Sequence, residues 1–501
     1  MTLSFLGDRA AGPAPFFPGS PRGAAENAGR PTPVVAGSGL EQTPRMARRS
    51  KGSRPDVQSS YFLRQGIFRA ALVANAYRPS RNPLVLVPSF FASWLASEAA
   101  PALLAAWALR TSRQVVLGRR RGQRLSTADK VGLGLSAGAA VGAVGLIREA
   151  TRAGEQFEAA LSPLVPAEEL AERPSAVRLG ALLPLLNGNR RRRRTRDVVF
   201  SEPGDGERGP RLKLDVYLPL EDPEPGQKRP AVLQIHGGAW VLGSKNEQGI
   251  PLLNHLASCG WVGFNADYRL SPRAKAPEHL IDCKRALAWI REHAEEYQID
   301  PDFIVVTGGS AGGHLCALMA LTQNDPAFQP GFEDADTSVQ AAVPFYGVYD
   351  LTDRDGNYRS DLLSFTDLLA RVMMEVGVQD DPERWASYSP LDRITEDAPP
   401  MFVIHGDRDV LVPVKGARRF VQDLKATSTQ PVVYAEIQGA QHAFEIFPSF
   451  RTVETVEYVE RFLHHVHAEY LDRSTEAEKT EPVPDDSDRR PRRGSDPVPA
   501  T

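Results

Sequence analysis

Phe303-Ile304-Val305-Val306-Thr307-Gly308-Gly309-Ser310-Ala311-Gly312-Gly313, followed by the run His314 to Leu321, is the stretch that decides how this chain folds. Its first five residues are β-branched or aromatic and predict a buried strand, and the apolar run after Gly313 predicts a helix. Between them a serine stands among glycines. A strand-to-helix turn of this kind is sharp, admits only small neighbours and thrusts the hydroxyl into the open. It also aims the Ala311 N–H and the helix N-terminus at negative charge developing beside the serine. Ser310 is therefore the candidate nucleophile and Ala311 a candidate oxyanion donor.

About 70 residues upstream, the strand Ala231–Ile235 runs into His236-Gly237-Gly238-Ala239-Trp240. Backbone amides surround an oxyanion only where bulky side chains are absent, so Gly237, Gly238 and Ala239 are candidates for the second half of the hole. A serine hydroxyl needs a base to take its proton and a carboxylate to orient that base. Of the ten histidines, His442 lies in Gly439-Ala440-Gln441-His442-Ala443-Phe444, after the last apolar strand and before the last helix. His236, His314 and His405 read as structural, and the other six fall on helical or linker segments. For the acid, Asp409 stands furthest out on the loop that follows the strand ending at Ile404. Asp407 is its rival and Asp350 a third candidate. Trp240, Val241, Tyr346 and the segment from Asp350 to Pro399 are expected to shape the substrate pocket.

Further apolar runs at Trp261–Asn265, Ala341–Phe345, Met401–Ile404 and Val432–Glu436 alternate with amphipathic segments such as Glu278–Glu296 and Val414–Ala426. Short, uniformly apolar strands between helices indicate an α/β fold, a mainly parallel sheet covered on both faces. This catalytic domain is expected over residues 195–470. The Pro-, Gly- and Arg-rich residues 1–56 and the tail 471–501 read as disordered. The N-terminus lacks the pattern of a cleavable signal peptide. Basic and acidic residues number 59 and 62, a balance that argues against a nucleic-acid binder. The run Arg190–Arg194 reads as a solvated linker. Cys259, Cys283 and Cys316 form no disulfide framework and read as fillers of buried gaps.

Residues 57–194 are expected to be helical, with apolar segments at 84–109 and 131–147. Ser126 and Asp129 mark the start of the second by a capping box, and Gly134, Gly138 and Gly142 give it a smooth stripe for a close helix neighbour. The loop between the segments is basic, from Arg110 to Lys130. A membrane hairpin fits this pattern, and so does a helical bundle packed on the catalytic domain. In the first reading the basic loop is cytoplasmic, in tension with the arginines at 190–194, so an interfacial seat is the competing form. Localisation is thus membrane-associated or cytoplasmic, and oligomeric state is not encoded in any motif.

These motifs together, with Asp267-Tyr268-Arg269-Leu270-Ser271-Pro272 and His405-Gly406-Asp407-Arg408-Asp409, resemble the hormone-sensitive-lipase branch of the α/β-hydrolases. They are particularly similar to actinobacterial-type lipase/carboxylesterases with an N-terminal helical extension. The resemblance implies an α/β-hydrolase fold, a triad of Ser310, Asp409 and His442, and oxyanion amides at Gly238, Ala239 and Ala311. Ala239 departs from the usual glycine. The implied activity is serine carboxylesterase or lipase chemistry on a small-molecule or lipid ester, without metal or organic cofactor. Aryl-formamide amidase and carbohydrate-ester esterase activity use the same apparatus, and a non-catalytic binding protein is the alternative from another class.

Overall fold

The computed structural model describes residues 61–171, 192–202, 209–358, 364–446 and 448–480. The expectation of disorder at 1–56, and that for the tail beyond residue 480, lie outside these residues. Eight strands form one sheet: β1 (Arg192–Ser201), β2 (Leu212–Pro219), β3 (Arg229–Ile235), β4 (Val262–Ala266), β5 (Ile299–Gly309), β6 (Ala342–Phe345), β7 (Met401–Gly406) and β8 (Val432–Ile437). Their order is β1-β2-β4-β3-β5-β6-β7-β8. β1 and β2 pair antiparallel, β2 pairs antiparallel with β4, and every other pairing is parallel. All six expected strands are present, each within a few residues of its expected ends.

Helices α1 (Tyr61–Tyr77), α2 (Leu86–Glu98), α3 (Ala100–Arg120), α4 (Thr127–Thr151), α5 (Ala153–Leu161) and α6 (Ala167–Ala171) precede the sheet. Within it come α7 (Ile250–Ser258), α8 (Glu278–Glu292), α9 (Ala294–Tyr297), α10 (Ala311–Leu321), α11 (Phe365–Leu369), α12 (Pro382–Ser387), α13 (Val414–Thr427) and α14 (Phe450–Thr480). One buried cluster joins α8, α10 and α13 to one face of the sheet, and a second joins α5, α7 and α14 to the other.

The register aligns the carboxyl ends of the central strands. Ile235 lies opposite Gly308, Gly309 opposite Phe345, Phe345 opposite Ile404, and Gly406 opposite Ile437. Each loop holding a candidate residue therefore leaves from one edge, where open α/β sheets place their sites.

Several expectations need correction. Arg192, Arg193 and Arg194 belong to β1 rather than a linker, because Arg194 binds the fully buried Asp215 carboxylate and stacks 4.8 Å over the Tyr217 ring. The sheet thus begins at residue 192, not 195, and α14 carries the chain past 470 to Thr480. Cys283 and Cys316 are buried, but Cys259 caps α7 at the surface and is exposed. Segment 84–109 is two helices that part at Ala99, ahead of Pro101. The capping box at Ser126 and Asp129 is present.

The glycine stripe meets a neighbouring helix at only one of its three positions. Gly134 and Gly138 face open space, whereas α1 and α4 cross where a Cβ on Gly132 would lie 2.2 Å from the Phe62 carbonyl carbon. Gly142 alone of the three meets a neighbour, its carbonyl accepting the Tyr77 hydroxyl at 2.9 Å. Among the described residues one helical run, Thr127–Leu161, is long and apolar enough to cross a membrane.

Candidate active site

Ser310 occupies the one-residue turn between β5 and α10 at φ 61° and ψ −120°. A non-glycine residue held there stores strain of order 1–3 kcal/mol, and the surrounding packing imposes it. Its N–H donates to the Phe345 carbonyl at 3.0 Å, and its own carbonyl accepts from His314 at 2.9 Å. The turn passes so close to β3 that a Cβ on Gly312 would lie 2.2 Å from the Ile235 carbonyl oxygen. Only glycine fits.

His442 Nδ1 lies 2.7 Å from Asp409 Oδ2, with both side chains buried. The other carboxylate oxygen accepts the backbone N–H groups of Leu411 at 2.9 Å and Val412 at 2.8 Å. Burial alone works against the Asp409 charge, but the imidazoles of His442 and His405 outweigh it and hold the carboxyl well below the usual range. Asp407 is turned away. Its carboxylate accepts the Gly439 N–H at 2.7 Å, and burial pushes its pKa up. Asp350 is tied to Thr352 and Arg354.

On the oxyanion side the Gly237 N–H already donates to Gln248 Oε1 at 2.6 Å, which removes it from the expected donor set. Gly238, Ala239 and Ala311 remain. Ala239 sits at φ 52°, a left-handed conformation that costs an L-residue about 1 kcal/mol. His236 holds this loop, stacked 4.4 Å from Tyr268, which in turn donates to the His236 carbonyl.

Trp240 and Tyr346 do not line a pocket as expected, because both are buried and offer no surface to a substrate. The Trp240 indole donates to His314 Nδ1 at 3.3 Å, while His314 Nε2 donates to the Tyr388 carbonyl at 2.8 Å. That pair of bonds defines a neutral tautomer, and burial accordingly takes His314 down to about 4. Tyr346 packs on the candidate base: its ring centroid lies 4.5 Å from that of His442, and its hydroxyl binds Glu445.

The sequence reading missed the part played by α2. Phe90 packs at a steep angle to His442 with ring centroids 6.3 Å apart, the Trp94 indole donates to the Ala443 carbonyl at 2.9 Å, and Gln441 donates to Ser93 at 3.2 Å. Glu98 forms a fully buried ion pair with Arg451 at 2.8 Å and accepts from Ser449 at 2.9 Å. From α4, Glu149 takes Arg408 of the acid loop in a two-pronged bond at 2.9 and 3.0 Å. Aromatic weight in residues 90–94 was the available signal, but nothing local tied it to His442. Among the described residues no group of His, Cys, Asp and Glu has the arrangement of a metal site.

A family model described as BD-FAE matches residues 214–424. The chain is 42% identical over 409 residues to LipM of Mycobacterium tuberculosis, a probable carboxylic ester hydrolase, covering 80% of this chain and 91% of that one. Esterase LipC of the same organism is 39% identical over 311 residues, covering 62% of this chain and 74% of that one. Among solved structures, the apo form of Thermogutta terrifontis esterase 2 is 28% identical with a TM-score of 0.45, covering 54% of this chain and 94% of that one. Identity at that level along 91% of a relative shows descent from a common enzyme; the chain belongs to the carboxylic ester hydrolases, in the hormone-sensitive-lipase-like branch that its motifs resemble.

Proposed function

We propose that this carboxylic ester hydrolase works through Ser310, His442 and Asp409. The observation that carries the assignment is the 2.7 Å contact between His442 Nδ1 and an Asp409 held in place by two backbone N–H groups. With Nδ1–H engaged by Asp409, Nε2 is the nitrogen free to take the Ser310 proton as the hydroxyl oxygen attacks the ester carbonyl. The N–H groups of Gly238, Ala239 and Ala311 meet the resulting oxyanion, each worth about 3 kcal/mol in the transition state. The imidazolium then protonates the departing alcohol, and water, activated by the same base, releases the acid from the acyl-enzyme. Ser310→Ala should abolish hydrolysis of p-nitrophenyl butyrate while the protein stays folded. Substantial residual kcat, or a fluorophosphonate label mapped to another serine, would reject the nucleophile.

The substrate class within this reading is apolar esters presented at an anionic membrane surface. Among the described residues, thirteen of the eighteen exposed large apolar side chains fall within residues 61–161. On α2, Val87, Phe91 and Leu95 recur every four residues and form an exposed stripe separate from the buried face that carries Ser89, Ser93 and Ser97. Residues 61–152 hold thirteen Arg or Lys against three Asp or Glu, and the charges from Arg110 to Lys130, apart from Asp129, are exposed. Each basic side chain near an anionic surface contributes about 1 kcal/mol. Because α2 also touches the His442 loop, a bilayer against its outer stripe would bring lipid esters beside the site. Flotation of the full chain with phosphatidylglycerol vesicles, and none with phosphatidylcholine vesicles, is the expected result. Failure to float with either overturns the membrane reading and leaves the triad untouched.

A further inference from the structure

Glu445 is a buried carboxyl that the triad chemistry leaves unused. It follows His442 by three residues in the same loop, and one oxygen accepts the Tyr346 hydroxyl. The other, Oε2, is buried without a partner. Tyr346 is itself constrained: its backbone lies at φ 34°, its N–H donates to the Ile404 carbonyl at 2.8 Å, and its hydroxyl leaves no room for a Cβ on Gly309, directly before the nucleophile. A small cavity of about 10 Å³, lined by Glu445, Gly309, Phe345, Gln234 and Thr455, lies behind the turn. One carboxyl thus reaches both sides of the reaction through a single phenol that touches the imidazole and the residue before Ser310.

We propose that Glu445 is a positioning residue for ester hydrolysis, acting on the His442 base through Tyr346. This rests on the triad assigned above. As a carboxylate it anchors the phenol against the imidazole and places a negative charge behind the ring, where positive charge develops as Ser310 gives up its proton. Once protonated, it supplies neither the charge nor so strong an acceptor. The charged and titratable groups facing it are Tyr346, His442 on its own loop, and Glu98 of α2. Arg451 offsets Glu98 through their ion pair, while Asp409 adds negative charge on the Tyr346 side. Burial, opposed by the Tyr346 bond and by His442, pushes the Glu445 carboxyl up to about 7, so the change falls within the working range of an esterase assay.

The test is the pH dependence of kcat/KM for p-nitrophenyl butyrate from acid to alkaline pH. The wild type should show an acid limb steeper than that of Glu445→Gln, because Glu445 adds an ionisation of its own. Glu445→Gln should show a single ionisation, match the wild type at low pH and fall about tenfold below it at high pH. Tyr346→Phe, which deletes one oxygen, should lower kcat with little change in KM and move the second ionisation to higher pH. A Glu445→Gln profile superimposable on the wild type, or reduced by one factor at every pH, overturns the proposal. Ser310→Ala, assayed alongside, reads the triad separately: if it stays inactive while Glu445→Gln behaves as wild type, the nucleophile stands and the role of Glu445 falls.

Discussion

Two aspartates separated by one residue have opposite fates, and the difference is geometric. Asp409 faces His442 and accepts two N–H groups, whereas Asp407 binds the backbone of Gly439. Asp409→Asn should lower kcat by up to about four orders of magnitude by favouring the wrong imidazole tautomer, and Asp407→Asn far less. Steady-state kinetics of the two variants decides, and the reverse order would transfer the role. Stability carries the same signature. Because the folded-state pKa of Asp409 is depressed, its contribution is present above the unfolded carboxylate value near about 4 and is lost as pH falls through the folded one. Glu445 has the opposite sign: its raised pKa makes the stability it contributes complete in acid and lost as pH rises through about 7. Thermal unfolding of Glu445→Gln should therefore show a Tm that falls less than that of the wild type as pH rises from about 4 to about 7. Equal slopes would mean that the carboxyl does not ionise there.

The N-terminal helices matter through two clamps. α2 holds the loop of the base through Trp94, Ser93 and Glu98, and α4 holds the loop of the acid through Glu149. Glu98→Ala would leave Arg451 charged and unpaired where neither side chain is exposed, a loss of about 3–5 kcal/mol. Thermal denaturation measures it, and a change below about 1 kcal/mol would mean that water reaches the arginine. The Arg408–Glu149 pair is partly exposed, so Glu149→Gln should change stability little. It should instead lower kcat, if restraint of the Asp409 loop is what the bond supplies. Kinetics with a soluble ester separates these outcomes. Sequence reasoning found α4 from its capping box and uncharged run, both local features. It misplaced the glycine contact, because which of several glycines meets α1 depends on how far each helix is rotated about its axis.

The proposed seat on anionic lipid would make hydrolysis of vesicle-borne esters sensitive to salt, since screening weakens attraction to exposed arginines. Raising ionic strength should increase the apparent KM for an ester dispersed in phosphatidylglycerol vesicles and leave that for p-nitrophenyl butyrate unchanged. Parallel changes would place the salt effect in the active site. At this scale the division between sequence and tertiary structure is plain. The parallel sheet, the sharp turn at Ser310, the glycine loop before Trp240 and the chain order serine, aspartate, histidine of the candidate triad were legible because each depends on short-range chemistry: strand composition, small residues at a tight turn, loops after strands. Tertiary structure decided that Asp409 rather than Asp407 meets His442, that Gln248 occupies the Gly237 amide, and that Trp240 and Tyr346 turn inward. It also decided that Glu98, the one charged residue in segment 84–109, is the partner of Arg451, 353 residues away. Contacts of that separation leave no periodicity in the chain, because they arise only when packing brings two independently formed elements together.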